Sequence, residues 1–275
     1  MKENIHSNTN CSLLLGCEEG GTECSDWTRS GGESAYSAVL FDMDGVLFDS
    51  MPGHAFAWLN AMQQYGLTMT REEVYMNEGR TGAGTINAVA QRTWGRDATD
   101  EEIQAIYRTK SQEFNRYFQS EEYLRRCAAS GTVCQPGEAP VMPGAAEVLD
   151  KVRARGLQRI LVTGSGQASL LDNLNRHFPG HFTPERMVTA YDVRRGKPDP
   201  EPYLMGLQKA GVEADQAIVV ENAPLGIRAA RAAGIRTIAV NTGPLSDAVL
   251  LQAGADIVLP SMQALAEHVD ELLCC

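Results

Sequence analysis

The sequence predicts an α/β fold: a parallel sheet covered by helices, with a helical domain inserted after its first strand. Three observations predict it. From about residue 144 onward, apolar runs of strand length alternate with amphipathic stretches that close on Gly, the pattern of βα units whose sheet is covered on both faces. One more strand-like run, at 38–42, stands well ahead of the others, and the stretch between has no strand pattern. With 275 residues and 43% hydrophobic content, the chain can bury a substantial core.

Residues 1–36 are polar and rich in Gly, Ser and Thr; "LLL" at 13–15 is too short for a secretory apolar region. A disordered extension is expected there. Residues 37–52 and 139–275 are assigned to the core domain, and 53–138 to the helical cap. In the cap, "HAFAWLNAMQQYG", "TREEVYMNEG", "GTINAVAQRTWG" and "TDEEIQAIYRTKSQEFNRYF" read as helices. The last opens with Thr99 as N-cap and Glu102 three residues on. "SMPG" at 50–53 and "EAPVMPG" at 138–144 are the expected linkers, and "CAASGTVCQPGE" at 127–138 reads as an added loop. In the core, strands are expected at 158–163, 186–190 and 217–221 and in "IRTIAV" and "ADIVLP", with helices between them.

A formal net charge of −11 argues against nucleic acid or an anionic membrane as the main partner. No apolar run approaches the roughly 18 residues of a membrane span. The seven cysteines (11, 17, 24, 127, 134, 274 and 275) form no CxxC pair. Their odd number argues against a disulfide framework and against zinc, so a cytoplasmic protein is expected.

Ligands of parallel α/β sheets bind beyond the carboxyl ends of the strands, and the polar residues there carry the chemistry. "VLFDMDG" ends a buried strand with Asp42 and Asp44, two carboxylates two residues apart. On a strand such residues share a side, and like charges that close need a cation or a shared proton. Thr163 closes the second strand before "GSGQ", so Gly164, Ser165 and Gln167 enter a turn suited to phosphoryl oxygens. Lys197 follows the third strand, and Glu221 and Asn222 end the fourth. Carboxylate and amide oxygens without clustered His or Cys suit a hard cation such as Mg²⁺. An Asp can attack phosphorus and form an aspartyl-phosphate, while a second Asp moves the protons. Alone, Asp-x-Asp is more often a turn or a helix cap; its place after a strand, joined to three other polar strand ends, favours chemistry.

"DMDGVLFDS", Thr163, Lys197 in "GKPDPEPY", and "VVENAPLG" together resemble the four ordered motifs of the haloacid dehalogenase superfamily, over about residues 37–272. The resemblance implies a Rossmann-like core with a small helical cap. It also implies Asp42 as nucleophile and metal ligand, and Asp44 as acid/base that lends its backbone carbonyl to the metal. Glu221 and Asn222 would complete the Mg²⁺ site. Dehalogenases proper lack the second Asp, so Asp44 points to phosphoryl transfer.

Within the superfamily the chain resembles the β-phosphoglucomutase-type subgroup, which places cap or hinge residues where His54 and Lys110 stand. It departs in two places: "NEGRTGAGT" lacks the subgroup's phosphate-holding Arg, and the fourth motif reads Glu221-Asn222 rather than Glu-Asp. "EGRTGAGTIN" and "VVENAPLGI" look closer to a haloacid dehalogenase-type inorganic pyrophosphatase, whose selectivity is tied to the positions of Glu78 and Asn222. Arg80 and Thr81 join Glu78 as expected substrate contacts. The expectation is a monomeric, Mg²⁺-dependent phosphohydrolase cleaving pyrophosphate. A hexose-phosphate mutase or sugar phosphatase is the alternative, and a silent phosphate-binding module is the alternative outside enzymes. Trp58, Met62, Tyr107 and Phe114 read as cap core.

Overall fold

A computed structural model describes residues 36–130, 135–165 and 170–273. The expected extension at 1–36 falls outside them, apart from Tyr36. The strands are β1 (Ala38–Phe41), β2 (Gln158–Val162), β3 (Met187–Val188), β4 (Ala217–Glu221), β5 (Arg236–Val240) and β6 (Ile257–Leu259). They form one parallel sheet in the order β3-β2-β1-β4-β5-β6. This order reverses direction beside β1, where open α/β sheets leave a crevice at the carboxyl ends.

Strand alternation sorts the core into two layers. Val39, Phe41, Leu161 and Val220 face one cluster, beneath α6 (Ala145–Ala154), α7 (Leu170–His177) and α11 (Met262–Leu272). Ala38, Leu40, Ile160 and Val219 face the other, beneath α8 (Glu201–Ala210) and α9 (Pro224–Ala232). A smaller cluster joins α9 to α10 (Asp247–Ala253) and β5.

The cap comprises α1 (Met51–Gln64), α2 (Arg71–Met76), α3 (Gly82–Trp94), α4 (Asp100–Gln119) and α5 (Glu121–Ser130). Capping boxes open α2 and α4: Thr70 with Glu73, and Thr99 with Glu102. The cap leaves and returns through segments that pair with one another, Met142 N donating to Leu47 O and Asp49 N to Pro140 O, each at 2.9 Å. Its apolar cluster does not stop at the domain edge. Leu245 and Val249 of the core pack into it beside Val74 and Tyr75.

Five expectations need correction. Met51–Gly53 are not a free linker but the first turn of α1, with Pro52 at the start, where a missing N–H costs nothing. The expected loop at 127–138 begins as helix, since α5 runs to Ser130; residues 131–134 lie outside the described residues. Cys127 is disulfide-bonded, against the expectation of no disulfide framework. The third strand shrinks to Met187–Val188, because a short helical turn at Pro184–Arg186 takes its first residue and a turn closed by Asp192 N donating to Thr189 O takes its last two. A final helix, α11, was not foreseen, although Ser261 caps it and Met262, Leu265, Ala266, Val269 and Leu272 repeat at helical spacing on its buried face.

Candidate active site

Asp42 is the residue immediately after β1, and its amide donates to Val220 O at 3.0 Å. Lys197 reaches it from the segment before α8. Lys197 Nζ donates to Asp42 Oδ1 at 2.6 Å, to Glu221 Oε1 at 2.7 Å and to Val162 O at 3.1 Å. All three side chains are buried. Burial alone would discharge the lysine, but Asp42 and Glu221 hold it protonated well above its ordinary range. Burial, reinforced by Glu221 and Asp44, pushes Asp42 up to about 7, against the pull of Lys197.

Glu221 is fully engaged. Oε1 accepts from Lys197 and from Tyr203 Oη at 2.9 Å, and Oε2 accepts from the amides of Asn222 at 2.9 Å and Ala223 at 3.0 Å. A Cβ on Gly226 would lie 1.6 Å from Oε1, so only Gly lets α9 start this close. Glu221, expected among the metal ligands, spends both oxygens on Lys197, Tyr203 and the start of α9.

Asp44 sits in a hydrogen-bonded chain that runs into the cap. Its Oδ1 accepts from Ser50 Oγ at 2.5 Å and meets His54 Nε2 at 3.2 Å, and His54 Nδ1 meets Lys110 Nζ at 2.9 Å. A lysine ammonium only donates, so His54 accepts at Nδ1 and presents Nε2–H to Asp44. Burial, then Lys110, pushes His54 below its ordinary value, in keeping with a neutral ring. For Asp44 burial acts upward, but His54, Ser50 and Lys110 outweigh it and bring the carboxyl to about 2. Burial lowers Lys110 to about 8; it lies over the rings of Trp58, Tyr107 and Phe114 at 5.5, 5.8 and 5.1 Å. Trp58 and Tyr107, expected as plain core, line the cleft, and Tyr107 is partly exposed.

The cap closes the cleft from the turn after α2. Glu78 Oε1 and Oε2 both accept from Asn222 Nδ2 at 3.3 Å. Burial, then Asp42, Asp44 and Glu221, raise Glu78 well above the ordinary carboxylate value. Arg80 lines the cleft, its Nε donating to Asn77 Oδ1 at 3.0 Å. Thr81 caps α3, accepting from Gly84 N at 3.2 Å. Core glycines receive the cap: a Cβ on Gly196 would meet Thr81 Cγ2 at 2.8 Å, on Gly164 Gly79 O at 3.2 Å, and on Gly243 the Tyr75 ring at 2.9 Å. The cleft holds a cavity of about 80 Å³, open to solvent on one side and bounded by Asp42, Asp44, Glu78, Arg80, Lys110 and Ser165. Thr163, buried at the end of β2, accepts from Ser165 N at 3.0 Å, which shapes the turn. Gln167 lies outside the described residues.

The donor set fits a hard cation. Asn222 Oδ1 is buried and has no hydrogen-bond partner, although buried amide oxygens are nearly always satisfied. Asp42, Asp44, Glu78 and Glu221 act on one another electrostatically across the cleft, with Lys197 and Lys110 the lysines beside them. Among the described residues no group of three or more His, Cys, Asp or Glu is arranged to hold a metal; here an amide completes the set. Sequence reasoning missed Ser50, Tyr203 and Gly226. Only Tyr203 left a trace, as the buried position in the first turn of "PEPYLMGLQKAG".

Asp42, held by Lys197, and Asp44 two residues on stand at the strand-end crevice where open α/β sheets receive their ligands. Residues 36–234 match the haloacid dehalogenase-like hydrolase family model, and the chain belongs to that family. It is 31% identical over 202 residues to hexitol phosphatase A of Escherichia coli, covering 74% of this chain and 82% of that protein. It is 28% identical over 220 residues to a phosphorylated carbohydrates phosphatase of Thermotoga maritima, covering 79% and 91%. A solved structure, a putative β-phosphoglucomutase from Bacteroides vulgatus, is 50% identical with a TM-score of 0.78, covering 91% of this chain and 93% of that one. The chain is thus a family phosphatase with a β-phosphoglucomutase-like structural relative.

Proposed function

We propose that the chain is a Mg²⁺-dependent phosphohydrolase working through an aspartyl-phosphate, with inorganic pyrophosphate as its substrate. The core is 37–52 with 139–275, and 53–138 is its cap. Asp42 attacks phosphorus; the bond to the leaving oxygen breaks as the Asp42–phosphorus bond forms. Lys197 holds Asp42 in line and balances charge on the transferring group. The turn after Thr163, with the Ser165 hydroxyl at the cleft wall, receives the phosphoryl oxygens. Asp44 then takes the proton of the attacking water, and hydrolysis frees phosphate and restores Asp42. Asp42, the Asp44 carbonyl and Asn222 Oδ1 would hold Mg²⁺, which when bound offsets the crowded negative charge.

The observation that carries the substrate is Glu78. Its carboxylate stands opposite Asn222 at the wall of a small cleft, in the room a sugar leaving group would need. Arg80 and Lys110 remain at the wall for a second phosphate. Asp44 already accepts two hydrogen bonds at Oδ1, which favours its ionised form. A departing phosphate asks little of an acid, whereas a sugar alkoxide asks for a proton. The names of the relatives favour a second reading, a sugar-phosphate phosphatase or hexose-phosphate mutase; none of those reported above names pyrophosphate. Phosphate release from pyrophosphate, β-glucose 1-phosphate and hexitol phosphates, each with Mg²⁺, separates the two. Pyrophosphate is expected to give the highest kcat/KM, and Glu78→Ala to reduce that value more than the values for phosphoesters. A hexose phosphate ranking first, with equal losses in the variant, would give the site to the sugar reading.

A further inference from the structure

The turn that follows α2 carries more than Glu78. Asn77 closes α2, its amide donating to Glu73 O at 3.0 Å, and Arg80 N returns to Asn77 O at 3.1 Å. Gly79, inside the turn, has a φ of 80°, and a Cβ there would lie 2.8 Å from Lys197 Cδ. The turn is therefore seated on the lysine that holds Asp42. Asn77, Gly79 and Arg80 all line the cleft.

The Asn77 side chain has two partners, and each can play only one role. Nδ2 donates to Glu73 O at 2.8 Å, and Oδ1 accepts from Arg80 Nε at 3.0 Å. A carbonyl only accepts and a guanidinium only donates, so the amide has a single orientation. The Arg80 stem is confined as well. A Cβ on Gly84 would lie 3.0 Å from Arg80 Cγ and 3.2 Å from Cδ, so the stem runs against the first turn of α3. With Nε spent on Asn77, Nη1 and Nη2 have no hydrogen-bond partner among the described residues. They form the free edge of the guanidinium, a fork that meets two oxygens of a phosphate at once. Ordering a loose arginine costs rotamer freedom at the moment of binding. Here the ordering precedes the substrate.

We propose that Asn77 is a positioning residue: it turns the Nη1–Nη2 edge of Arg80 toward the second phosphoryl group of the substrate, the one not transferred to Asp42. The proposal rests on pyrophosphate as substrate and names the device that tells two linked phosphates from one. Asn77 acts through Arg80 and makes no bond to the substrate, since its amide oxygen and nitrogen are both engaged.

The test compares pyrophosphate with p-nitrophenyl phosphate, which has no second phosphoryl group, in steady-state kinetics of the Mg²⁺-loaded protein. Asn77→Ala frees the guanidinium without removing it. It should raise KM for pyrophosphate about tenfold and hold kcat within about twofold, because ground state and transition state lose the same ordering. Arg80→Gln should lower kcat/KM for pyrophosphate about a hundredfold, the loss of a charged, two-pronged hydrogen bond. Neither variant should move kcat/KM for the ester by more than about twofold. Adding Asn77→Ala to Arg80→Gln should cost nothing further, since the amide then has no guanidinium to aim. Equal losses for both substrates in Asn77→Ala, or losses that add in the double variant, would overturn the role of Asn77 and leave the pyrophosphate reading in place. A wild-type protein that prefers the ester would remove that reading, and the proposal with it.

Discussion

Glu221→Gln exchanges one carboxylate oxygen for an NH₂ group in a place where every partner is a donor. If the new NH₂ faced the amides of Asn222 and Ala223, two backbone N–H groups now bonded at 2.9 and 3.0 Å would have nothing to donate to. Backbone amides cannot reverse their role, so the NH₂ turns the other way. There Tyr203 Oη can become an acceptor, but Lys197 Nζ cannot, and its 2.7 Å bond is lost. Lys197 keeps Asp42 and Val162 O, so it is not stranded. The cost is one charge-assisted hydrogen bond, about 1.5–3 kcal/mol, plus the weakened neutralisation of a buried ammonium, for a total of about 3 kcal/mol. Urea unfolding should show a lower midpoint at unchanged m value. A loss under about 1 kcal/mol would mean that Glu221 does not anchor Lys197, and would reopen a ligand role for it.

Asp42→Asn should cut turnover by at least about 10⁴-fold, as for a removed nucleophile, with circular dichroism unchanged; near-normal phosphate release would exclude the covalent route. Mg²⁺ affinity should depend on pH in a definite sense. With Asp42 raised to about 7, the proton competes with the cation below that value, so affinity falls about tenfold per pH unit below 7 and levels off above it. Calorimetric titrations between pH 5.5 and 8.5 check this, and a flat profile would contradict it. Gly243→Ala sets a Cβ 2.9 Å from the Tyr75 ring at an ordinary φ. It should leave the core stable while lowering kcat/KM about tenfold through an ill-seated cap; wild-type kinetics would show that the cap does not depend on that contact.

What the sequence made legible was whatever depends on neighbours in the chain. The apolar run at 38–41 and the polar residues that end β1, β2 and β4 announce themselves locally, and so do the boxes at Thr70 and Thr99. What escaped depends on residues distant in sequence. The occupation of both Glu221 oxygens requires Tyr203, Lys197 and a close-packed Gly226. Met51–Gly53 joins α1 although "SMPG" carries linker residues, because Pro is tolerated in a first helical turn. β3 shortens at the sheet edge, where β2 alone pairs with it. Tyr107 looked like core because aromatic residues at helical spacing do so whether they meet apolar neighbours or a buried lysine.

The apolar cluster shared by the cap and the β5–α10 segment also has a thermal consequence. Tyr75 of the cap and Leu245 of the core are buried in one cluster, so opening that parts them hydrates apolar surface and carries a positive heat-capacity change. Its enthalpy therefore changes with temperature. Where release of product waits on opening, the logarithm of turnover plotted against reciprocal temperature bends, and truncating Leu245 straightens it.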